Sequence, residues 1–393
     1  MRIGFVVGQF PLLSETFVIG QMAGLLRHGF NVNVVCNGIS DYNFADREQE
    51  PLATLLKETR DWWGAAAQLR PAIGRLPARF RDKASTALDM SSVGRLNECD
   101  VIVAHFGHNG ARAARLKKWK RLRPPIVTIF HGYDVGVPLR ERDLRRYNDL
   151  FEYGALNLTV NDFFRQALVE AGAPEAKVAV HHMGIDLRKI PYEWKSWQGS
   201  PLQLISVCRL AEKKGVEFAL RALAKLRAGA PGLAWHYTII GDGPLRQELE
   251  VLASELGINE QVSFLGSLAH EDVKQWLRRS HVFVLPSVTA SNGDVEGIPV
   301  ALMEAMAAGL TVVSSYHSGI PELIEDQKTG FLAAERDVDT LANRLHFVAE
   351  HPEQCERIAL QARRKVEAEF DMESLDNDFA EILGRFAKSR LVA

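Results

Sequence analysis

The chain has 393 residues, long for a single core and suited to two domains of ordinary size. With 47% hydrophobic and 24% charged residues it has the composition of a globular protein, and a formal net charge of -2 argues against a nucleic-acid partner. Cys36, Cys99, Cys208 and Cys355 stand far apart with no CxxC pair, so they are expected to be reduced core thiols and neither a disulfide frame nor a metal site.

Arg2 to Val7 is a strand of buried type, entered without a basic-then-apolar leader. A loop from Gly8 to Ser14 follows, then a helix through Phe17, Ile19, Met22, Leu25 and Leu26 to Gly29, then a strand from Val32 to Cys36. Strand, helix, strand in that order predicts a parallel sheet with right-handed crossovers. Ser14 suits the N-cap of the first helix. The alternation continues through a strand at Val101 to Ala104, a helix from Asn109 to Lys120, a strand at Ile126 to Phe130, a helix near Asp143 to Tyr153 and a strand at Leu156 to Val160. Ligands of parallel sheets sit at the carboxyl ends of strands, which makes His105 and His131 candidates for a site. A histidine at a strand end also fits a structural role, satisfied by a neighbouring carbonyl.

Between these strands, Trp62, Ala66, Leu69, Ile73, Leu76 and Phe80 recur at alternating steps of four and three, one face of a helix, interspersed with Arg70, Arg75, Arg79, Arg81 and Lys83. Tryptophan beside basic residues has the composition of a segment that lies on an anionic membrane, although Pro71 and Pro77 interrupt the helix and such a face also packs against its own domain. No apolar run approaches the ~18 residues needed to cross a bilayer. A cytoplasmic protein, touching the inner face of the membrane from the side, is expected.

Pro, Gly and Ser without periodicity between Lys189 and Pro201 mark a domain boundary. Strands at Leu202 to Val207, Tyr237 to Ile240, Val262 to Leu265, Val282 to Leu285 and Thr311 to Ser314 then alternate with amphipathic helices. Arg209, Lys213 and Lys214 follow the first of these strands, where a phosphate would be met. After Val282 to Leu285 comes a polar loop, then Glu296-Gly297-Ile298-Pro299, with Pro299 suited to the first position of a helix through Leu302, Met303 and Met306 to Gly309. Such a helix start offers unpaired N–H groups and a positive dipole end to a phosphate, while Glu296 and Glu304 supply carboxylates suited to sugar hydroxyls. From Ser374 to Ala387 a last helix carries Leu375, Phe379, Ile382, Leu383 and Phe386 on one face.

The stretch from Val282 to Leu332 resembles the family 4 retaining glycosyltransferases of the GT-B fold. Glu296 and Glu304 match the E-x7-E signature, and Gly309, the strand from Thr311, Gly319-Ile320-Pro321-Glu322 and Thr329-Gly330-Phe331 extend the match. His131-Gly132-Tyr133-Asp134 is similar to the family's HG-x-D segment, Cys208 to Gly215 to its GRL…KG segment, and Gly241-Asp242-Gly243-Pro244 to its GxGP turn. His181 to Asp186 is similar to the NG-[VI]-D turn, with His182 in place of Asn. The Gly-Gly pair that many relatives carry in the first loop is missing.

The resemblance implies an α/β fold with two doubly wound, Rossmann-like domains facing a cleft: residues 1–190 on the acceptor side, 200–370 on the nucleotide-sugar side, and a C-terminal helix, 371–393, crossing back to the first domain. It implies that His131 contacts the donor sugar, Arg209 and Lys214 the diphosphate, and the Gly297-Ile298-Pro299-Val300 backbone the same anion. Lys213 is left as surface charge. Gly241 and Gly243 would adjoin the nucleotide and Gly266 the base, with Glu296 on donor-sugar hydroxyls and Glu304 on the ribose. Ser14, Glu15 and His105 fall on the acceptor side.

Breaking the anomeric bond leaves a diphosphate and puts positive charge on the sugar ring. Many enzymes hold the diphosphate with a metal on a D-x-D motif, which this chain lacks as a strand-end pair. Arg209, Lys214 and the helix start can do the same work, so neither a metal nor another cofactor is expected beyond the nucleotide-sugar co-substrate. The segments FPLLSETF, HGYDV and GDVEGIPVALMEAMAAG are most similar to family members that build bacterial exopolysaccharide or capsule repeat units on a lipid carrier, which implies a hexosyltransferase acting on a lipid-linked saccharide. A GT-B-type nucleotide-sugar epimerase would use a similar cleft without an acceptor. A catalytically silent nucleotide-sugar-binding protein would keep the cradle and lose its charges.

Overall fold

The computed structural model describes residues 1–12, 15–40, 50–141 and 143–392, without the side chains of 16, 78, 79, 82 and 388–392. The chain forms two compact units, Met1–His181 with Glu373–Ala393, and His182–Met372.

The first unit is built on β1 (Arg2–Phe10), β2 (Asn31–Ile39), β3 (Thr59–Asp61), β4 (Val101–His105), β5 (Ile126–Phe130), β6 (Leu156–Thr159) and β7 (Val178–Val180), in the order β3-β2-β1-β4-β5-β6-β7. Every neighbouring pair is parallel. β4 and β5 are buried along their whole length, as apolar runs with helices on both faces must be. The last helix, Met372–Val392, buries Phe379 and Leu383, stacks Phe379 on His181 and takes Arg27 on Asp376, all within this unit.

The second unit carries β8 (Leu202–Val207), β9 (Trp235–Ile240), β10 (Val262–Gly266), β11 (Val282–Leu285), β12 (Thr311–Ser315) and β13 (Phe331–Ala333), in the parallel order β10-β9-β8-β11-β12-β13. This is the doubly wound order, reversing between β8 and β11. The aperiodic stretch after Lys189 belongs to this unit's interior: Ile190 and Trp197 are buried, and Trp197 donates its indole N–H to the Ala349 carbonyl.

Several elements differ from the sequence expectation. β3, β7 and β13 are three residues each, too short for a periodicity to show. The helix placed at Asn109 starts at Gly107, and the one near Asp143 is a 3₁₀ turn, Leu144–Tyr147, followed by a helix, Asn148–Tyr153. A helix at Tyr133–Arg140 was hidden by Pro138. Proline cannot donate to the carbonyl four residues back, and the Tyr147 hydroxyl takes that Asp134 carbonyl at 2.8 Å instead. Pro299 is the N-cap of the helix Val300–Ala308 and not its first residue.

The stripe from Trp62 to Lys83 is not one helix. It breaks into a 3₁₀ turn, Gly64–Leu69, and helices Arg70–Gly74 and Ala78–Asp89. Trp62 is buried, with the Arg112 guanidinium 4.5 Å from its ring centre, so it cannot meet a membrane. Arg112 also pairs with the buried Asp89, which accepts the Trp63 indole N–H at 2.6 Å. Leu69, Leu76 and Phe80 remain 45%, 39% and 50% exposed.

Candidate active site

The loops that follow β8 and β11 leave the sheet where its strand order reverses, the place where such sheets bind ligands. They pack backbone against backbone. Gly215 has φ +64, and a Cβ there would collide with the Pro286 carbonyl, so glycine alone lets Lys214 turn in at the end of β11. Gly241, at φ +126, meets the Cys208 carbonyl in the same way. Its N–H donates to the Gly266 carbonyl at 2.8 Å, while the Leu210 N–H donates to the Asp242 carbonyl at 2.9 Å. The Gly243 N–H is held by Asp242 Oδ1 at 2.7 Å. Gly266 itself lies in the left-handed region, at φ +70.

Side chains then knit the β8 loop to the β11 loop. Glu212 accepts the N–H and hydroxyl of Ser291, at 2.8 and 2.6 Å. Lys213, expected as plain surface charge, donates instead to Asp294 Oδ1 at 3.1 Å and to the Val295 carbonyl at 3.3 Å. Lys214 Nζ lies 2.7 Å from Glu296 Oε1, with side chains only 17% and 8% exposed. Burial works against both charges, but each group holds the other ionised, so Glu296 lies below its ordinary value and Lys214 above its own.

Arg209 is exposed and makes no ion pair with a described residue. At the helix start, the N–H groups of Gly297, Ile298 and Val300 donate to no described group, Pro299 has none to give, and the Leu302 N–H closes on the Pro299 carbonyl at 3.0 Å. A guanidinium and N–H groups without a partner among the described residues, and an ammonium, therefore all follow the ends of the adjacent strands β8 and β11. Such a set is chemically suited to an anion, and the Glu296 carboxylate beside Lys214 to hydroxyl donors. Glu304 lies one turn into the helix. It lines a depression with Lys189, Ile190, Pro191, Lys274, Leu277 and Arg278, and Glu296 is not part of that lining. Burial raises the Glu304 carboxyl to about 7, with Lys274 opposing.

In the first unit, His105 closes β4 and is fully buried, with its Nδ1 3.0 Å from His131 Nε2 and the two rings stacked at 5.2 Å. Burial holds both imidazoles below their ordinary value, His105 at about 3, so the pair is neutral at physiological pH. Asp134 fixes the turn beneath them by accepting the N–H groups of Gly107, His131 and Gly132 at 2.8, 3.0 and 3.0 Å. Glu15 is the N-cap of the helix Thr16–Arg27 without a side-chain cap bond, and burial raises its carboxyl to about 6. Phe17, two residues on, stands 4.8 Å from the His131 ring, which brings this helix start to the histidines. Ser14 lies outside the described residues.

Sequence reasoning missed the loop-binding roles of Glu212 and Lys213, the clasp made by Asp134, and His317 with Glu335 behind Glu296. The HG-x-D spacing was the available sign for Asp134, whereas the partners of the others lie 79 and 81 residues away or on a separate strand-end loop. Among the described residues, no group of three His, Cys, Asp or Glu side chains is placed to hold a metal ion.

Residues 14–189 match the family model described as Glycosyltransferase Family 4, and residues 194–365 the one described as Glycosyl transferases group 1. The putative colanic acid biosynthesis glycosyltransferase WcaL of Salmonella typhimurium is 36% identical over 98% of this chain and 99% of its own length. The amylovoran biosynthesis glycosyltransferase AmsK of Erwinia amylovora is 35% identical over 98% of this chain and 100% of its own. Among solved structures, Anabaena HepE in complex with UDP matches with a TM-score of 0.76 at 21% identity, over 98% of this chain and 100% of that one. WaaG, a glycosyltransferase involved in lipopolysaccharide biosynthesis, matches with a TM-score of 0.65 at 17% identity, over 98% and 99%. The two doubly wound sheets are those of the GT-B fold. Matched in both halves and along its whole length by relatives of this identity, the chain belongs to family 4 of the glycosyltransferases, as an enzyme of exopolysaccharide biosynthesis.

Proposed function

We propose that the enzyme transfers a hexose from a nucleotide sugar to a lipid-linked saccharide repeat unit, with retention of configuration and without a metal ion. The observation that carries this reading is the set of groups at the ends of β8 and β11, where Arg209 pairs with no described residue and Lys214 is paired with a buried Glu296. Arg209, Lys214 and the N–H groups of Gly297, Ile298 and Val300 take the charge of the departing diphosphate. Preorganised donors in a dry site stabilise developing charge at no reorganisation cost. Glu296 holds donor-sugar hydroxyls. In the first unit, the neutral state of His131 suits it to a hydrogen bond rather than to ion pairing. Attack on the face that the diphosphate leaves, with a phosphate oxygen taking the acceptor proton, needs no carboxylate nucleophile beside a general acid. A uridine nucleotide is favoured, in line with the HepE complexes with UDP and UDP-glucose. A GDP-sugar is the second choice, in line with the GDP-mannose-dependent mannosyltransferase of Mycolicibacterium smegmatis, 29% identical over 61% of this chain. Incubation with UDP- or GDP-hexose and a lipid-linked acceptor tests the reading. An elongated acceptor supports it, and an altered free nucleotide sugar or binding alone contradicts it.

Glu304 gives the donor site a pH dependence. Its carboxyl stays protonated up to about 7 in the free enzyme, whereas ribose hydroxyls donate best to the carboxylate. Binding therefore favours the deprotonated form and releases a proton below that pH. Affinity for the nucleotide is expected to rise by at most about tenfold per unit as pH approaches 7 from below, then to level off. Titration calorimetry in buffers of different ionisation enthalpy reads the released proton directly, and no proton release at pH 6 would remove Glu304 from the nucleotide site.

The lipid-linked acceptor calls for a membrane-facing surface. Leu69, Leu76 and Phe80 are exposed beside Arg75, Arg81 and Lys83, and each basic residue near an anionic surface contributes about 1 kcal/mol. The protein is expected to sediment with anionic vesicles at low salt and to be released by salt or by changing Arg81 and Lys83 to Ser. Equal recovery in the supernatant with and without such vesicles would mean that this surface does not meet lipid. No helix among the described residues is long and apolar enough to cross a membrane.

A further inference from the structure

Glu296 sits in an irregular segment, outside the helix that follows it, so something other than helix geometry must aim its carboxylate. Its main chain is fastened at both polar atoms by the turn after β12. The Glu296 N–H donates to His317 Nε2 at 3.0 Å, and the Ser318 hydroxyl donates to the Glu296 carbonyl at 2.6 Å. His317 is 1% exposed, and its Nδ1 lies 2.6 Å from Glu335 Oε1. A backbone N–H can only donate, so Nε2 is the bare nitrogen and the imidazole proton is on Nδ1, facing the carboxylate. Ser318 takes φ +46, an uncommon conformation for a side chain that is not glycine.

Glu335 holds the other end of the same loop. It accepts the Thr289 N–H at 2.8 Å and the Thr289 hydroxyl at 3.1 Å. Burial works against its charge, and the Thr289 N–H together with His317 outweighs that, keeping the carboxyl below its ordinary value. One carboxylate thus ties down the start of the β11 loop directly and its end through an imidazole.

We propose that His317 is a positioning residue for sugar transfer: held by Glu335 as the Nδ1-protonated tautomer, it fixes the Glu296 backbone and so sets where the Glu296 carboxylate meets the donor sugar. The proposal rests on the reading of Glu296 as a donor-sugar contact. Misplacing such a group by a fraction of an ångström slows the reaction without touching the nucleotide site, where Glu304 and Gly266 are independent of His317.

Two kinds of measurement test this. In the unliganded wild-type protein, nitrogen NMR of labelled histidine should show Nδ1 of His317 protonated and Nε2 bare, with slow exchange of the Glu296 amide. His317→Phe keeps a flat ring but offers the Glu296 N–H nothing, whereas His317→Gln restores an acceptor oxygen. The Phe variant is expected to lose ~10- to 100-fold in kcat, with faster Glu296 amide exchange and unchanged affinity for the free nucleotide, and the Gln variant to recover most of that loss. A protonated Nε2 in the wild type, or a Phe variant as active as the wild type, overturns the proposal alone. So does a parallel fall in nucleotide affinity and kcat that Gln does not restore, since that marks a merely structural role. A wild-type enzyme that transfers no sugar overturns the reading of Glu296 as well.

Discussion

Lys214→Ala is expected to abolish transfer and to lower stability by ~3–5 kcal/mol, the usual cost of removing one partner from a buried ion pair. The pair is nearly dry, with Lys214 Nζ 2.7 Å from Glu296 Oε1 and side chains 17% and 8% exposed. Without the ammonium, burial is the largest influence left on Glu296 and drives its carboxyl upward. The sign of the pH dependence then reverses. In the wild type, Glu296 has a lowered folded-state value, so its contribution is present above the ordinary carboxylate range and is lost as pH falls through the lowered value. In the variant, Glu296 prefers its proton, and stability improves as pH falls. The double variant Lys214→Ala with Glu296→Gln should regain most of the stability and none of the transfer. Thermal unfolding at pH 5 and pH 8 separates these outcomes, and a Lys214→Ala protein as stable at pH 8 as the wild type would mean the pair does not form.

Arg209→Ala should do the reverse: leave the fold alone and remove most of the rate. Arg209 is exposed and pairs with no described residue, and surface changes of that kind stay within about 0.5 kcal/mol. Its guanidinium follows β8, where the proposed reaction has the diphosphate acquire charge as the anomeric bond breaks. Removing one preorganised donor from such a site costs about 10²- to 10³-fold in kcat. Because the effect belongs to the transition state, kcat and kcat/KM should fall together while nucleotide-sugar affinity changes little. A rise in KM with kcat unchanged would place Arg209 on the ground-state donor only.

Both predictions concern residues that were legible in the sequence, and the reason is local. Strand, charged turn and helix start are contiguous in the chain, so the strand-type run Leu202 to Val207 announces where Arg209 and Lys214 emerge, and Val282 to Leu285 does the same for Glu296. The long strands and helices that position the site were readable for that reason, whereas β3, β7 and β13 are too short to carry a period. What escaped was side-chain partnership across distance. Lys213 reads as a surface charge until Asp294 is brought beside it, and Trp62 reads as a membrane anchor until Arg112, itself paired with Asp89, lies over its ring. His317 carries no sign in its neighbours, since its role exists only once Glu296 and Glu335 arrive from two other loops. The helix that contains Pro138 also escaped; the hydroxyl of Tyr147 satisfies the carbonyl that a proline leaves open there.

The central claim is that Arg209, Lys214 and the helix start at Val300 hold the leaving diphosphate by themselves. The most direct test follows transfer from the preferred nucleotide sugar by the purified enzyme in excess EDTA, with the anomeric configuration of the product read by NMR. Undiminished elongation of the acceptor with the donor's configuration retained is the predicted result; complete loss of transfer in EDTA, restored by Mg²⁺ or Mn²⁺, would contradict it.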